Sequence, residues 1–98
     1  MSDTLRVEVV ANRSVQEDFF ELLEGADTGR EYILIPEVQG QGASGPRRGD
    51  HIWPEENFVY IAYVPPEEAR RIATVIEELR RRFPREGMRV FATPSVPL

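Results

Sequence analysis

The sequence predicts an α+β fold in which a four-stranded antiparallel sheet carries two helices on one face. Two observations lead there. Strand-like apolar stretches appear near residues 5, 32, 58 and 88, the first alternating with period two, and helical periodicity follows the first and third of them. The order is therefore β-α-β-β-α-β, and right-handed crossovers put both helices on the same side of the sheet. A length of 98 residues suits one domain, so residues 1–98 are expected to fold as a single unit around one core.

Leu5, Val7 and Val9 alternate with Arg6 and Glu8, which marks a half-buried first strand over Leu5–Val10. Asn12-Arg13 turns into a helix. Ser14 with Glu17 three residues on reads as a capping box, and Val15, Phe19, Leu22 and Leu23 make one apolar stripe. Gly25 is expected to end this helix. A loop over Ala26–Arg30 leads to a second strand, Tyr32–Val38, where Pro36 points to an edge position or a bulge. Gln39 to about Glu56 has the composition of a long loop, with four glycines, two prolines and two arginines. Phe58–Val64, rich in aromatic and β-branched residues, is the third strand.

Pro65-Pro66-Glu67-Glu68 gives the second helix a proline and acids in its first turn. Its predicted buried face is Ala69, Ile72, Ala73, Ile76, Leu79 and Phe83. Its outer face carries Glu67/Arg71, Glu77/Arg81 and Glu78/Arg82 at i,i+4, a solvated face worth only ~0.3–0.5 kcal/mol per pair. Pro84 and Gly87 close the helix, Met88–Ala92 forms the last strand, and Thr93–Leu98 is a tail. This order is ferredoxin-like. Two helices cover only one side of such a sheet, yet Phe58, Tyr60 and Ala62 on one parity face Val59, Ile61 and Tyr63 on the other. Tyr32/Leu34 against Ile33/Ile35 repeats the pattern, and Phe91 stands opposite Val90 in parity. A second apolar face of this kind marks an interface, and a homo-oligomer is expected.

Composition narrows the function. Hydrophobic residues make up 41% and charged residues 30%, as in ordinary globular proteins. No apolar run nears the ~20 residues of a membrane span and no signal-peptide pattern opens the chain, so a cytoplasmic location without membrane insertion is expected. Cysteine is absent, which excludes disulfides, thiolate metal sites and a Cys nucleophile. A net charge of -5 argues against nucleic-acid binding, which needs a basic footprint. All twelve basic residues are Arg, so any phosphate must be held by guanidinium groups or backbone amides.

Function is expected in the loop, which is far longer than a hairpin connection needs. Gly40-Gln41-Gly42-Ala43-Ser44-Gly45 matches G-x-G-x-x-G, but it leads into Pro46 rather than a helix, so it is not a dinucleotide fingerprint. Its glycines still let main-chain amides approach a phosphate, and Arg47-Arg48 supply charge. Arg48-Gly49-Asp50, an adhesion-type tripeptide, is explained by chance. Trp53-Pro54 reads as an anchor of the loop or a partner contact. His51 has no paired Ser or Cys nucleophile, so no catalytic residue is assigned.

Two segments carry a resemblance to a known family. Glu37-Val38-Gln39-Gly40-Gln41-Gly42 looks like the E-V-x-G-x-G that enters the T-loop of the PII-like signalling proteins, in the same place between strands two and three. Glu86-Gly87-Met88-Arg89-Val90-Phe91 is similar to the glycine-containing B-loop that feeds the family's last strand. The resemblance covers nearly the whole chain as topology. It implies a non-enzymatic homotrimer, akin to the nitrogen regulatory proteins, whose sheets face a central core. It also implies a cleft between subunits that takes an adenine nucleotide (ATP, ADP or AMP). The T-loop then changes shape to bind or release a protein partner such as a transporter or enzyme. Carried over by position, Glu37, Gly40 and Gly42 line the cleft from one subunit, and Glu86 and Gly87 from its neighbour. Ser44, Gly45, Arg47 and Arg48 complete the candidate ligand-binding set.

The departures from the family are chemical. The loop is shorter than the regulatory T-loop and holds no Tyr, which excludes tyrosyl modification. Ala43, Asn57 and Met88 stand where the family carries basic residues, and its Arg-containing C-terminal segment is missing after Leu98. Arg47, Arg48, Arg85 and Arg89 are left as candidates to supply that charge. The alternative is a metal-binding trimer resembling the CutA or efflux-associated branches of the fold, without nucleotide, in which Asp50, His51, Glu55 and Glu56 are the ligands. A small enzyme or a purely structural interaction protein are further readings that no motif marks.

Overall fold

The computed structural model describes residues 3–39 and 56–98. Strand β1 (Thr4–Asn12) passes through a short 3-10 turn (Arg13–Val15) into helix α1 (Gln16–Gly25). Strands β2 (Ile33–Gln39) and β3 (Glu56–Val64), helix α2 (Pro66–Arg82) and strand β4 (Met88–Ser95) follow. The four strands form one antiparallel sheet in the order β2-β3-β1-β4, the ferredoxin-like arrangement expected. The first, third and fourth strands run two or three residues longer than the spans expected from the sequence, because ladder pairing continues through Asn12, Asn57 and Thr93.

The register assigns each parity to a face. Val7, Val9 and Ala11 of β1 stand opposite Ala62, Tyr60 and Phe58 of β3, and all six are buried. They meet Val15 from the 3-10 turn, Phe19 and Leu23 from the first helix and Ala69, Ile72, Val75, Ile76 and Leu79 from the second in one core. Each large side chain buried in this way contributes roughly 1.5–3 kcal/mol. Phe19 and Tyr60 pack edge to face at 5.0 Å, and Tyr32 stacks on Tyr60 at 5.4 Å. In α2 the buried stripe takes Val75, while Ala73 and Phe83 are only half-buried; Phe83 already lies beyond the last helical turn.

Local chemistry differs from the sequence reading at three points. The first helix is entered through the 3-10 turn, so Ser14 lies inside that turn and the cap is Asn12, whose side chain accepts from the Ser14 amide at 2.9 Å. Gly25 is the last helical residue rather than a left-handed stop; Asp27 (φ 52°) and Gly29 (φ 68°) take the left-handed conformations that turn the chain. On α2, Arg81 and Arg82 both pair with Glu78, at 3.2 and 3.6 Å, so the expected Glu77/Arg81 pair is not made, and Glu67/Arg71 is also absent among the described ion pairs. Glu78 is half-buried and attracts both guanidiniums, whereas Glu67 and Glu77 are exposed. Pro36 sits in an edge strand, and the β2–β3 register shifts between Ile35 and Val38, so edge position and bulge occur together.

The opposite face of the sheet carries no element among the described residues. Ile33, Ile61, Glu8 and Phe91 form one row across it, Ile35, Val59, Val10 and Arg89 the next, and Tyr63, Arg6 and Thr93 the row on the other side. Ile33, Ile35, Tyr63 and Phe91 are 40–55% exposed, which is high for large apolar side chains arranged side by side. On β1 the Arg6 guanidinium meets Glu8 at 3.1 Å. Hydrogen bonding to Glu8, then to Tyr63, holds Arg6 above its ordinary pKa.

One contact ties the α1–β2 corner to the sheet. The buried Tyr60 hydroxyl donates to the Gly29 carbonyl at 2.9 Å, and a Cβ on Gly29 would lie 2.2 Å from that hydroxyl oxygen. Gly29→Ala adds this collision to a left-handed φ, and urea unfolding should show a loss of about 2–3 kcal/mol. Tyr60→Phe leaves the carbonyl without its donor and should cost about 1–2 kcal/mol, with the double variant less destabilised than the sum. Burial, then the charge of Glu68, pushes the Tyr60 phenol up to about 12. The unfolded phenol ionises near pH 10, so the stability from this group is whole below pH 10 and is lost as pH rises towards about 12. Unfolding free energies across that window should fall on the order of 2 kcal/mol further in the native protein than in Tyr60→Phe.

Candidate functional site

Four chain segments converge on one end of the sheet. β2 ends there at Gln39, β3 begins at Glu56, β1 ends at Asn12, and β4 is entered through Gly87. Antiparallel pairing brings them together: Val38 stands opposite Asn57, Asn57 opposite Asn12, and the Asn12 amide donates to the Gly87 carbonyl at 3.3 Å. The turn that carries Glu86 and Gly87 is held at its start by the Glu86 amide donating to the Phe83 carbonyl at 3.1 Å. Arg80 donates to the Met88 carbonyl at 3.3 Å and so secures the entry to β4 from the helix side.

Of the nine predicted ligand-binding residues, Glu37, Glu86 and Gly87 lie in the described structure. Glu37 is exposed, at the bulge of β2, and Glu86 and Gly87 occupy the turn before β4. Gly40, Gly42, Ser44, Gly45, Arg47 and Arg48 lie outside the described residues, as do Asp50, His51, Glu55 and the Trp53-Pro54 pair. The described members do not form one cluster. β2 and β4 are the two edges of the sheet, with β3 and β1 between them. Three strand spacings separate the two groups by roughly 14 Å. In one copy of the chain Glu37 and the Glu86-Gly87 turn therefore lie at different edges of the same sheet end.

The structure adds a pairing that separation in sequence hides. The Arg13 guanidinium donates to Glu56 at 2.8 Å, joining the end of β1 to the first residue of β3, where the long loop re-enters the sheet. Both side chains are about half exposed, so the pair is worth well under ~1 kcal/mol and acts to position rather than to stabilise. It also occupies Glu56, one of the four residues of the metal reading. Among the described residues no group of three or more His, Cys, Asp or Glu is placed to hold a metal ion.

The arginines at this end divide by face. Met88 is buried in the core, so its position cannot present a side chain to a ligand at the sheet end. Arg89 follows it with the opposite parity, exposed on the open face beside Val10, and Arg85 is exposed in the turn. Asn57 is half-buried on the open face between Val38 and Asn12. A separate groove of about 590 Å³ runs between α1 and α2, floored by Leu22, Ala26 and Val75 and rimmed by Arg70 and Arg71. No described helix is long and apolar enough to cross a membrane.

Strand order, helix placement and the two-edged sheet end define a ferredoxin-like α+β domain, and comparison with solved structures narrows the fold further. The chain superposes on CPII of Thiomonas intermedia K12, in its complex with ADP and bicarbonate, with a TM-score of 0.71 at 20% identity, covering 95% of this chain and 86% of that one. A Thermus thermophilus protein described as PII-like and signalling matches with a TM-score of 0.67 at 21% identity, over 96% of this chain and 88% of that one. A DUF3240 family protein of Shewanella baltica matches with a TM-score of 0.67 at 13% identity, over 100% of this chain and 96% of that one. No family model and no curated protein matches the sequence. The chain has the fold of the PII-like proteins.

The face assignment at the start of β4 is open to direct test. Met88→Lys buries an unpaired ammonium and should cost about 3 kcal/mol or more in urea unfolding. Arg89→Ala, on the open face, should leave the unfolding free energy within about 0.5 kcal/mol.

Proposed function

We propose that this chain is a divergent PII-like signalling protein that assembles as a homotrimer, binds an adenine nucleotide between subunits and regulates a protein partner through loop 39–56. The observation that carries the reading is the division of the candidate set between the two edges of one sheet end. A site made of Glu37 with the loop on one side and Glu86-Gly87 on the other closes only when the β2 edge of one copy meets the β4 edge of another. The open sheet face supports the same arrangement, since apolar side chains at that exposure are stabilised by being covered. The fold supports it further, because CPII was captured with ADP and bicarbonate and, in another structure, with ADP, AMP and bicarbonate.

In this reading the loop residues Gly40, Gly42, Ser44 and Gly45 offer backbone amides to the phosphates, and Arg47 and Arg48 carry the charge that lysines carry elsewhere in the family. The neighbour's Glu86 and Gly87 close the cleft. The nucleotide acts by binding one arrangement of the loop better than another, so the partner meets a surface whose population the ligand sets. The reading assigns no catalytic residue and places the protein in the cytoplasm.

Thermal unfolding of the metal-stripped protein with ATP, ADP or AMP, each with and without Mg²⁺ and bicarbonate, tests it. Ligand at a hundred times its dissociation constant should stabilise the protein by ~2.7 kcal/mol per site, a clear rise in Tm. Arg47→Ala and Arg48→Ala should shrink that rise without lowering the Tm of the free protein. Absence of a shift with every nucleotide, at millimolar concentration, would sink the nucleotide reading. A divalent-metal shift in its place would favour the metal-binding alternative.

A further inference from the structure

We propose that Arg6 and Glu8 pair across copies in the assembled protein, Arg6 of one copy with Glu8 of the next, and so set the register of the sheet-to-sheet interface. This rests on self-association through the open face. Arg6 and Glu8 are the only charged side chains that β1 and β3, the two central strands, direct to that face. Their neighbours across the ladder are Ile61 and Phe91 for Glu8 and Tyr63 and Thr93 for Arg6, with Val10 next along the strand. In the single chain each side chain keeps about a third of its surface, 33% and 32%, for water. A partner laid on the face removes that water, and a charge left there without a counter-charge is heavily penalised.

The pair has capacity for a second partner. Its contact runs from one guanidinium nitrogen, Nη1, to one carboxylate oxygen, Oε1, at 3.1 Å. Glu8 Oε2 is in no other ion pair among the described residues, and a guanidinium offers five donors. An uncharged apolar partner would bury the pair with Glu8 Oε2 and the remaining guanidinium donors unmatched. A further copy of this chain brings an Arg and a Glu two residues apart on one strand, the complement of what it meets. The isoleucines, Val59 and Phe91 supply the attraction, and the charges exclude every register in which like signs coincide.

Complementary charge reversal tests the pairing. In sedimentation velocity, Arg6→Glu and Glu8→Arg should each dissociate the wild-type assembly, weakening it on the order of a hundredfold or more. Circular dichroism and urea midpoints should stay those of a folded chain, because the side chains are part-exposed in the monomer. Mixing the two variants should recover assembly in part: a ring of three then has two matched contacts and one like-charged one. Arg6→Glu/Glu8→Arg in one chain should recover it fully. The independent variant Arg6→Met/Glu8→Met should still associate, but as several species.

Single variants that assemble like the wild type would overturn the proposal while leaving the oligomer standing. So would a mixture that stays monomeric while the double swap assembles, since the pair would then act within each chain. A single sharp species from the double methionine variant would overturn the register role. A wild-type protein that is monomeric at every concentration would remove the assembly itself, and this proposal with it.

Discussion

Two helices lying side by side span about 20 Å, which is also roughly the width of four paired strands. That match lets α1 and α2 close one side of the sheet completely and leaves nothing over for the other among the described elements. Everything else in the architecture follows from how the chain handles this shortage. On the covered side the side chains are large and tightly placed, with Tyr60 at the centre touching Phe19, Phe20 and Tyr32. On the uncovered side Ile33, Ile35, Val59, Ile61, Tyr63 and Phe91 are apolar, and the Arg6–Glu8 ion pair sits in their midst, with Asn57, Arg89 and Thr93 around them. The core is thus specified by shape and the open face by a mixture of shape and charge.

The fold was legible in the sequence because its signals are periodic. Alternation at two and stripes at three and four residues survive any local deviation, and they located every described element. What escaped was set by hydrogen-bond competition within a single turn. Asn12 and Ser14 are both good caps, and only the 3-10 turn between β1 and α1 decides in favour of Asn12. Gly25 looks like a terminator, yet Asp27 and Gly29 carry the unusual backbone angles, because the Tyr60 hydroxyl holds the chain a few residues further on. In α2, a contest among neighbouring carboxylates and guanidiniums was settled by burial of Glu78, which periodicity does not report.

The site was legible in a different and weaker sense. Spacing put Glu37 near the end of β2 and Glu86-Gly87 in the turn before β4, where the structure has them, and strand parity alone would have shown that Met88 faces the core and Arg89 does not. The distance between the two groups follows from strand order rather than from any motif, and it turns a list of residues into a question about neighbours. The Arg13–Glu56 pair left no local trace, since its members are 43 residues apart and meet only because β1 and β3 pair out to that end of the sheet. The six loop members of the set lie outside the described residues.

Prolines stand at both margins of the sheet: Pro36 in β2, beside a register shift, and Pro94 in β4. Each removes an amide donor from an outward-looking edge, and the bulge turns part of one edge out of plane. A chain with an apolar sheet face and two clean edges would be poised to grow into fibres by adding strands without end. Here a proline blunts each margin, which disfavours open-ended strand addition while leaving the face exposed. Protection from open-ended strand addition is thereby built into two exposed residues outside the core.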